Sequence, residues 1–205
     1  MSLPCIQPFC NGRERIPFSS CLWKPAPKSA TWTVTGCGAA VIGKHGEKGI
    51  AQIAGITTGQ VVDAGVRDSM NMGAAMAPAA FHTVMQNLKD LEITKEQLEG
   101  GWYDKIITGD LGKIGKQALA DLLRNEGLEA EGFLMDCGVE IYDNQKQDTH
   151  AGGSGCGCSA LVLGALILPN IQAGIWKRVL FVPTGALLST VSFNEARPYR
   201  GSPMG

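Results

Sequence analysis

The sequence predicts an α/β fold, in which parallel strands are covered by helices. Short apolar runs with strand character alternate with amphipathic runs of helical spacing in the middle of the chain. The 27 glycines and the low aromatic content of 6% favour close packing of elements and many tight turns. A chain of 205 residues with 44% hydrophobic content can bury one core. We therefore expect one principal domain, residues 31–189, between an irregular N-terminal segment, residues 1–30, and an irregular tail, residues 190–205.

The first predicted elements are two strands and a long helix. Residues 31–43 are rich in β-branched side chains and predict a strand, and residues 50–63 predict a second strand antiparallel to it. The apolar residues of segment 70–91 recur at the spacing of an amphipathic helix: Phe81, Val84, Met85 and Leu88. Because proline lacks an amide hydrogen, we expect Pro78 in the first turn of this helix.

Strand and helix then alternate. Thr94 is a candidate N-cap for a short helical turn, and residues 103–110 predict a buried strand. The next helix is expected within the segment 115–128 and should end at Gly127, a residue suited to a C-cap. Residues 136–143, with the sequence DCGVEIYD, predict a further strand.

The last predicted elements are a glycine loop, a helix and a strand. The helix is expected to begin at about Cys158, and Pro169 should stop or kink it because proline cannot donate the helical hydrogen bond. Beyond the proline we expect the helix to resume or fray before Gly174. The last strand is expected from Arg178 to about Val182. Beyond Ser189 the chain is polar and shows no period.

Charge and cysteine content narrow the classes of function. The 18 basic and 19 acidic residues give a net charge of -1, so no overall field attracts the chain to nucleic acid. The seven cysteines form no disulfide framework, which favours a reducing compartment. The longest apolar run, Ala160–Leu168, is about half of what a bilayer crossing requires. We therefore expect a cytoplasmic or peripheral membrane location with no transmembrane segment.

The main candidate for a site is the glycine-rich sequence HAGGSGCGCSA, residues 150–160. Only one residue separates its two cysteines and no further ligands stand at a zinc-site spacing, so we expect no metal and no cofactor. Glycines before a helix can present bare amides to an anion, and this interpretation includes five consecutive residues: Gly152, Gly153, Ser154, Gly155 and Cys156. A tight turn of small packed residues is the simpler alternative, and a thiolate at the helix N-terminus is a third.

Asp110 is a further candidate ligand-binding residue. It follows a predicted strand in the sequence ITGDLG, and α/β folds place ligands at the carboxyl ends of their strands. The alternative is that Asp110 caps the next helix.

Six unusual strings, in order along the chain, resemble the stage V sporulation protein AD family: TWTVTGCGAAVIG, NMGAAMAPAA, DKIITGDLGKIG, DCGVEIYD, HAGGSGCGCSA and VLFVPTGALLS. The resemblance covers about residues 31–189, and the two ends do not share it. It implies the thiolase-like fold that the β-ketoacyl-acyl-carrier-protein synthases also have. The chain would be the C-terminal half of that fold, a mixed sheet of five-stranded type with packed helices, and so a truncated family member.

The resemblance also implies a function. Members of this family are implicated in binding dipicolinic acid and moving it into the developing spore, usually with calcium, and so in spore germination. The implied partners are dipicolinic acid, alone or as its calcium complex, and other stage V sporulation A proteins. The implied place of action is the forespore or spore inner membrane, reached through those partners.

The resemblance further implies that no residue is catalytic. In the related synthases the places of Gly109 and Gly152 carry a histidine and an asparagine, so neither a general base nor an oxyanion donor is present here as a side chain. The synthases' nucleophilic cysteine lies in the other half. A degenerate acyltransferase, acylated on Cys156 or Cys158, is one alternative function. A structural remnant that pairs with a separate N-terminal half is the other, and a homodimer is also open.

Overall fold

A computed structural model describes four stretches of the chain: residues 27–44, 49–68, 70–187 and 200–203. At its centre is a three-stranded parallel sheet with strand order β4-β3-β6, formed by β3 (Lys105–Thr108), β4 (Leu134–Asp136) and β6 (Val179–Val182). Ile106 is in register with Leu134 on one side and with Leu180 on the other. The predicted α/β class and the strands within 103–110 and 178–182 are confirmed.

The two predicted long helices are confirmed. Helix α1 spans Met72–Asp90 and helix α3 spans Gly112–Asn125. Their backbones touch where both have glycine, because a Cβ on Gly115 would lie 2.8 Å from the Cα of Gly73. The expected position of Pro78 was wrong, since it is the seventh residue of α1 and not part of the first turn.

Two capping residues predicted from the sequence, Thr94 and Gly127, are confirmed. Helix α2 spans Lys95–Glu99, and Thr94 caps it, with its hydroxyl accepting from the Gln97 amide at 3.3 Å. The Gln97 side chain in return accepts from the Thr94 amide at 2.9 Å, which completes a capping box. Gly127, just beyond α3, has φ of +78°, the left-handed conformation expected there.

The strand predicted over DCGVEIYD was wrong in position. The strand β4 ends at Asp136, and Cys137–Glu140 form a short helix, α4. The Asp136 carboxylate accepts a hydrogen bond from the Val139 amide at 3.2 Å, and so caps the helix that replaces the strand.

The helical run near the C-terminus does not stop at Pro169. It consists of α5 (Cys158–Val162), a π-helical turn (Leu163–Ile167) and α6 (Leu168–Gln172). The π turn changes the hydrogen-bond pattern just before Pro169, so the proline falls at the start of a new α-helical segment. A missing amide costs little there, so the α-helical run is interrupted just before Pro169 and then resumes up to Gln172. Of the expected outcomes, the complete stop was wrong and the resumption before Gly174 is confirmed.

The described strands form three small sheets, so the single sheet of five-stranded type was wrong. Besides the central sheet there is a parallel pair, β1 (Trp32–Thr33) with β5 (Gly153–Ser154). The third sheet is antiparallel and contains three strands: β2 (Val62–Asp63), β8 (Arg200–Pro203) and β7 (Thr184–Leu187).

The first two predicted strands were therefore mostly wrong. Of residues 31–43 and 50–63, only Trp32–Thr33 and Val62–Asp63 are strands, and they belong to different sheets instead of pairing with each other. The tail predicted as irregular contains β8. The domain boundaries stay a prediction, and residues 1–26 lie outside the described part of the chain.

The central sheet separates two apolar cores. Ile106 faces the larger core, which includes buried residues of α1 and α3 such as Val84 and Leu119. Its neighbour Ile107 faces the smaller core, with Cys158 and Val162 of α5. Successive residues of a strand point to opposite faces, so β3 belongs to both cores. Nowhere in the described stretches is a helix both long and apolar enough to cross a membrane.

Candidate functional site

Two aspartates lie at the carboxyl ends of neighbouring parallel strands. Asp110 follows β3 by two residues, and Asp136 is the last residue of β4. Thr108 and Asp136 are partners in the register of the two strands, which brings the aspartates to the same edge of the sheet. This is the edge at which parallel sheets usually present functional groups.

Asp136 is fully buried, and its carboxylate accepts hydrogen bonds from three neighbouring segments of the chain. One oxygen accepts from the Thr108 hydroxyl at 2.7 Å and from the Leu111 amide at 2.9 Å. The other accepts from the amides of Gly112, at 3.0 Å, and Val139. Burial raises the pKa of Asp136, and the donated hydrogen bonds act in the opposite direction.

Asp110 is half-buried and binds the glycine loop. Its Oδ2 accepts a hydrogen bond from the Gly155 amide at 2.9 Å. Burial raises the pKa of Asp110 to about 6, and the nearby Asp136 carboxylate also raises it. The alternative that Asp110 caps α3 was wrong, because the first amides of that helix are bound by Asp136 from the neighbouring strand.

The glycine loop is a region of close backbone contact. A Cβ on Gly152, which has φ of +121°, would lie 2.5 Å from the carbonyl oxygen of Gly138. Gly153 and Ser154 pair with β1, and the Ser154 hydroxyl lies 2.7 Å from the Thr31 hydroxyl. The geometry therefore favours the tight turn of small residues. Of the five loop residues predicted to bind an anion, only Gly155 donates a hydrogen bond to Asp110.

The cysteines of the site differ in accessibility. Cys156 is exposed, whereas Cys158 and Cys137 are buried. Burial, together with the charges of Asp110 and Asp136, raises the pKa of the Cys158 thiol to about 12, and burial likewise raises the pKa of Cys137. The Cys158 thiol is directed at the Gly109 carbonyl at 4.0 Å. A protonated thiol is a poor nucleophile, so neither buried cysteine is activated.

Asp136 is the site residue that sequence reasoning missed. Its capping of α4 has a sequence signal, since an aspartate three residues before Val139 has the spacing of a helix N-cap. Its hydrogen bonds with Thr108, Leu111 and Gly112 depend on the register of the assembled sheet and have none. Among the residues that the structure describes, no three His, Cys, Asp or Glu side chains converge as metal ligands.

An open groove is lined by other residues than those of the two aspartates and the glycine loop. It has a volume of about 480 Å³ and is formed by one face of α1 and the segment before β2: Ile56, Thr58, Gly59, Gln60, His82, Gln86 and Asp90. None of the predicted site residues lines it.

Comparison with known proteins identifies the family. A family model described as Stage V sporulation protein AD matches residues 14–199. The curated protein named Stage V sporulation protein AD from Bacillus subtilis (strain 168) is 44% identical over 169 residues, which are 82% of this chain and 48% of the relative. The chain thus spans about half the length of this relative. The family match extends beyond residues 31–189 at both ends, so the expectation that the ends lack the resemblance was wrong. The chain belongs to the stage V sporulation protein AD family.

Proposed function

We propose that this chain serves sporulation as a non-catalytic component that binds dipicolinic acid for its uptake into the developing spore. The observation that carries the proposal is a site built from a carboxylate and backbone amides, in a chain of this family, with its two buried thiols held protonated. The thiolase-like fold is part of the same proposal.

The state of the thiols argues against nucleophilic catalysis. With a pKa of about 12, the Cys158 thiol is protonated at neutral pH. Gly109 and Gly152 supply no side chain that could act as a base or stabilise an oxyanion. The same positions instead let backbones approach closely, which is a structural role.

Asp110 restricts the form of the ligand. Dipicolinate carries two carboxylates on a rigid ring, and above pH 6 a charged Asp110 repels a free dianion. A calcium ion removes this repulsion, because calcium takes six to eight oxygen ligands and accepts carboxylates from both the ligand and the protein. The calcium complex of dipicolinate is therefore the proposed ligand, with Asp110 as the protein carboxylate and the 152–156 loop beside it.

The proposed place of action is the inner membrane of the forespore or spore. The chain reaches it through other stage V sporulation A proteins that bind it at the membrane surface.

Titration calorimetry tests the binding site. Dipicolinate is titrated into the folded chain with and without equimolar calcium, and we expect heat of binding with calcium and at least tenfold weaker binding for the Asp110→Asn variant. Asp121→Asn, on the exposed face of α3, is the matched control and should bind as the parent chain does. A folded chain that shows no heat at millimolar ligand in either form overturns the proposal. Unchanged binding by Asp110→Asn overturns the role of Asp110.

The degenerate acyltransferase is the second candidate, and the exposed Cys156 is the observation that favours it. This function predicts a covalent adduct on Cys156 after incubation with an acyl thioester. The thiol would displace the thioester's own thiol, which leaves as the free thiol. Intact-mass spectrometry that detects no adduct removes this candidate.

A further inference from the structure

Two buried side-chain oxygens have no hydrogen-bond partner within the described part of the chain. They are Oγ1 of Thr184 and Oδ1 of Asn71. Thr184 as a whole is only 5% exposed, and its hydroxyl is closed off from water. A buried hydroxyl without a partner destabilises a folded protein, so native chains seldom keep one without a use for it.

Thr184 lies at the same edge of the central sheet as the two aspartates. It follows the end of β6 by two residues, just as Asp110 follows the end of β3. The last residues of these two strands, Thr108 and Val182, are partners in the parallel register. Asp136 ends the strand on the other side of β3. All three strands of the central sheet therefore bring a polar side chain to this edge.

The hydroxyl of Thr184 lies beside a residue that has no side chain. A Cβ on Gly109 would be 3.2 Å from Thr184 Oγ1 and 2.8 Å from the Thr184 amide nitrogen. Gly109 directly precedes Asp110 in the chain, yet the hydroxyl bonds to neither residue. A polar group of Thr184 is thus held next to the candidate site without serving the protein's own hydrogen bonding.

The second unpartnered oxygen is close to the same turn. Asn71 directly precedes α1, and its side chain does not cap that helix. In the first turn of α1, Gly73 lies against the carbonyl oxygen of Leu111. Both unpartnered oxygens therefore belong to segments that contact residues 109–111, the turn that carries Asp110.

We propose that Thr184 is a further ligand-binding residue of this site, whose hydroxyl donates a hydrogen bond to a carboxylate oxygen of the ligand. The inference rests on the proposed function, which supplies the ligand, dipicolinate with calcium. Asp110 then binds the calcium ion, and Thr184 binds the organic anion. A hydrogen bond to a charged carboxylate is stronger than one between neutral groups, so it offsets the cost of the unpartnered hydroxyl. Because protein atoms cover the hydroxyl, binding includes a rotation about the Cα–Cβ bond of Thr184 that turns it toward the ligand.

Titration calorimetry of three variants tests this role. Dipicolinate with equimolar calcium is titrated into the full chain, into Thr184→Val, which keeps the shape and removes the hydroxyl, and into Thr184→Ser, which keeps the hydroxyl. The matched control is Thr83→Val, because Thr83 is 6% exposed and its hydroxyl donates to the Ala79 carbonyl at 3.0 Å within α1. The melting temperature of each chain is measured without ligand.

We expect binding to be about tenfold weaker for Thr184→Val and within about twofold of the parent for Thr184→Ser and Thr83→Val. Without ligand, Thr83→Val should lower the melting temperature because it breaks a hydrogen bond. Thr184→Val should leave the melting temperature unchanged or raise it, because it removes a hydroxyl that has no partner.

Three results would overturn the inference. Binding by Thr184→Val as tight as that of the parent removes the role of Thr184 and leaves the proposed function standing. A folded parent chain that binds no ligand removes both. A melting temperature that Thr184→Val lowers as far as Thr83→Val does would show that the hydroxyl already has a partner within this chain.

Discussion

The hydroxyl of Thr108 donates a 2.7 Å hydrogen bond to the carboxylate of Asp136 across two neighbouring parallel strands. The same carboxylate binds three backbone amides, so both of its oxygens face hydrogen-bond donors. Asp136→Asn replaces one oxygen with an NH2 group, which faces an N–H donor whichever way the amide is turned. We expect a loss of about 3 kcal/mol in the free energy of unfolding, measured by urea denaturation.

Thr108→Val is the graded control for this prediction. It keeps the shape of the side chain and removes one of the four donors, so it should cost about 1 kcal/mol. An Asp136→Asn variant as stable as Thr108→Val would contradict the role of Asp136 as the connector of this sheet edge.

The raised pKa of Asp110 predicts a pH dependence of stability. The folded protein binds the Asp110 proton more tightly than the unfolded chain, so the contribution of Asp110 to stability is fully present below the ordinary pKa of 3.8 and is lost as the pH rises through about 6. Asp110→Asn removes this loss of stability at high pH, because the asparagine carries no charge. Its side-chain oxygen can still accept the hydrogen bond from the Gly155 amide. The variant should therefore be more stable than the parent by about 1–2 kcal/mol at pH 7.5 and closely similar at pH 4, by urea denaturation at both pH values.

Asp104→Asn provides the opposite sign in the same assay. The amides of Arg178 and Lys177 lower the pKa of Asp104, so its carboxylate stabilises the fold above the ordinary pKa and this is lost as the pH falls. If both variants shift stability in the same direction at pH 7.5, the assignment for Asp110 is wrong.

The contact between Gly138 and the glycine loop predicts intolerance to a methyl group. A Cβ on Gly138 would lie 2.2 Å from the Gly153 carbonyl oxygen, so Gly138→Ala must displace backbone and should cost about 3 kcal/mol or more. Gly164→Ala is the matched control, since no atom lies within 4 Å of the added group, and its effect should stay within about 1 kcal/mol. Thermal denaturation by circular dichroism measures both, and equal melting temperatures would contradict the packing.

The burial of the thiols predicts selective alkylation. Iodoacetamide at pH 8 should modify the exposed Cys37 and Cys156 at least a hundredfold faster than the buried Cys137 and Cys158. Peptide mass spectrometry measures the alkylation of each of these four cysteines separately. In the urea-unfolded chain the four alkylation rates should be similar. Rapid labelling of Cys158 in the folded chain would show an activated thiol and favour the acyltransferase candidate.

Elements defined by local signals could be predicted from the sequence. The spacing of apolar residues sufficed for α1 and α3, and the Thr94 capping box sufficed for α2. Most of the strands predicted over residues 31–43 and 50–63 did not form, because strand formation depends on a neighbouring edge, which single-sequence patterns do not contain. The strand predicted over DCGVEIYD failed because the Asp136 carboxylate caps α4, so the chain continues as a helix after Asp136.

The candidate site was only partly predictable for a similar reason. Asp110 could be placed because it follows a recognisable strand, and its contact with Gly155 joins two of the predicted segments. Asp136 could not be placed, because its role depends on the parallel register that sets it opposite Thr108. Register is a property of the assembled sheet.

The sharing of β3 between the two cores has a consequence for how the domain comes apart. Ile106 and Ile107 are adjacent and both are fully buried, yet they anchor opposite layers of helices. Neither helix layer can therefore separate from the sheet without exposing one face of β3, while the opposite face of β3 still packs against the other layer. The two layers should melt as one cooperative unit, and the amide protons of β3 should exchange with deuterium only when the whole domain opens.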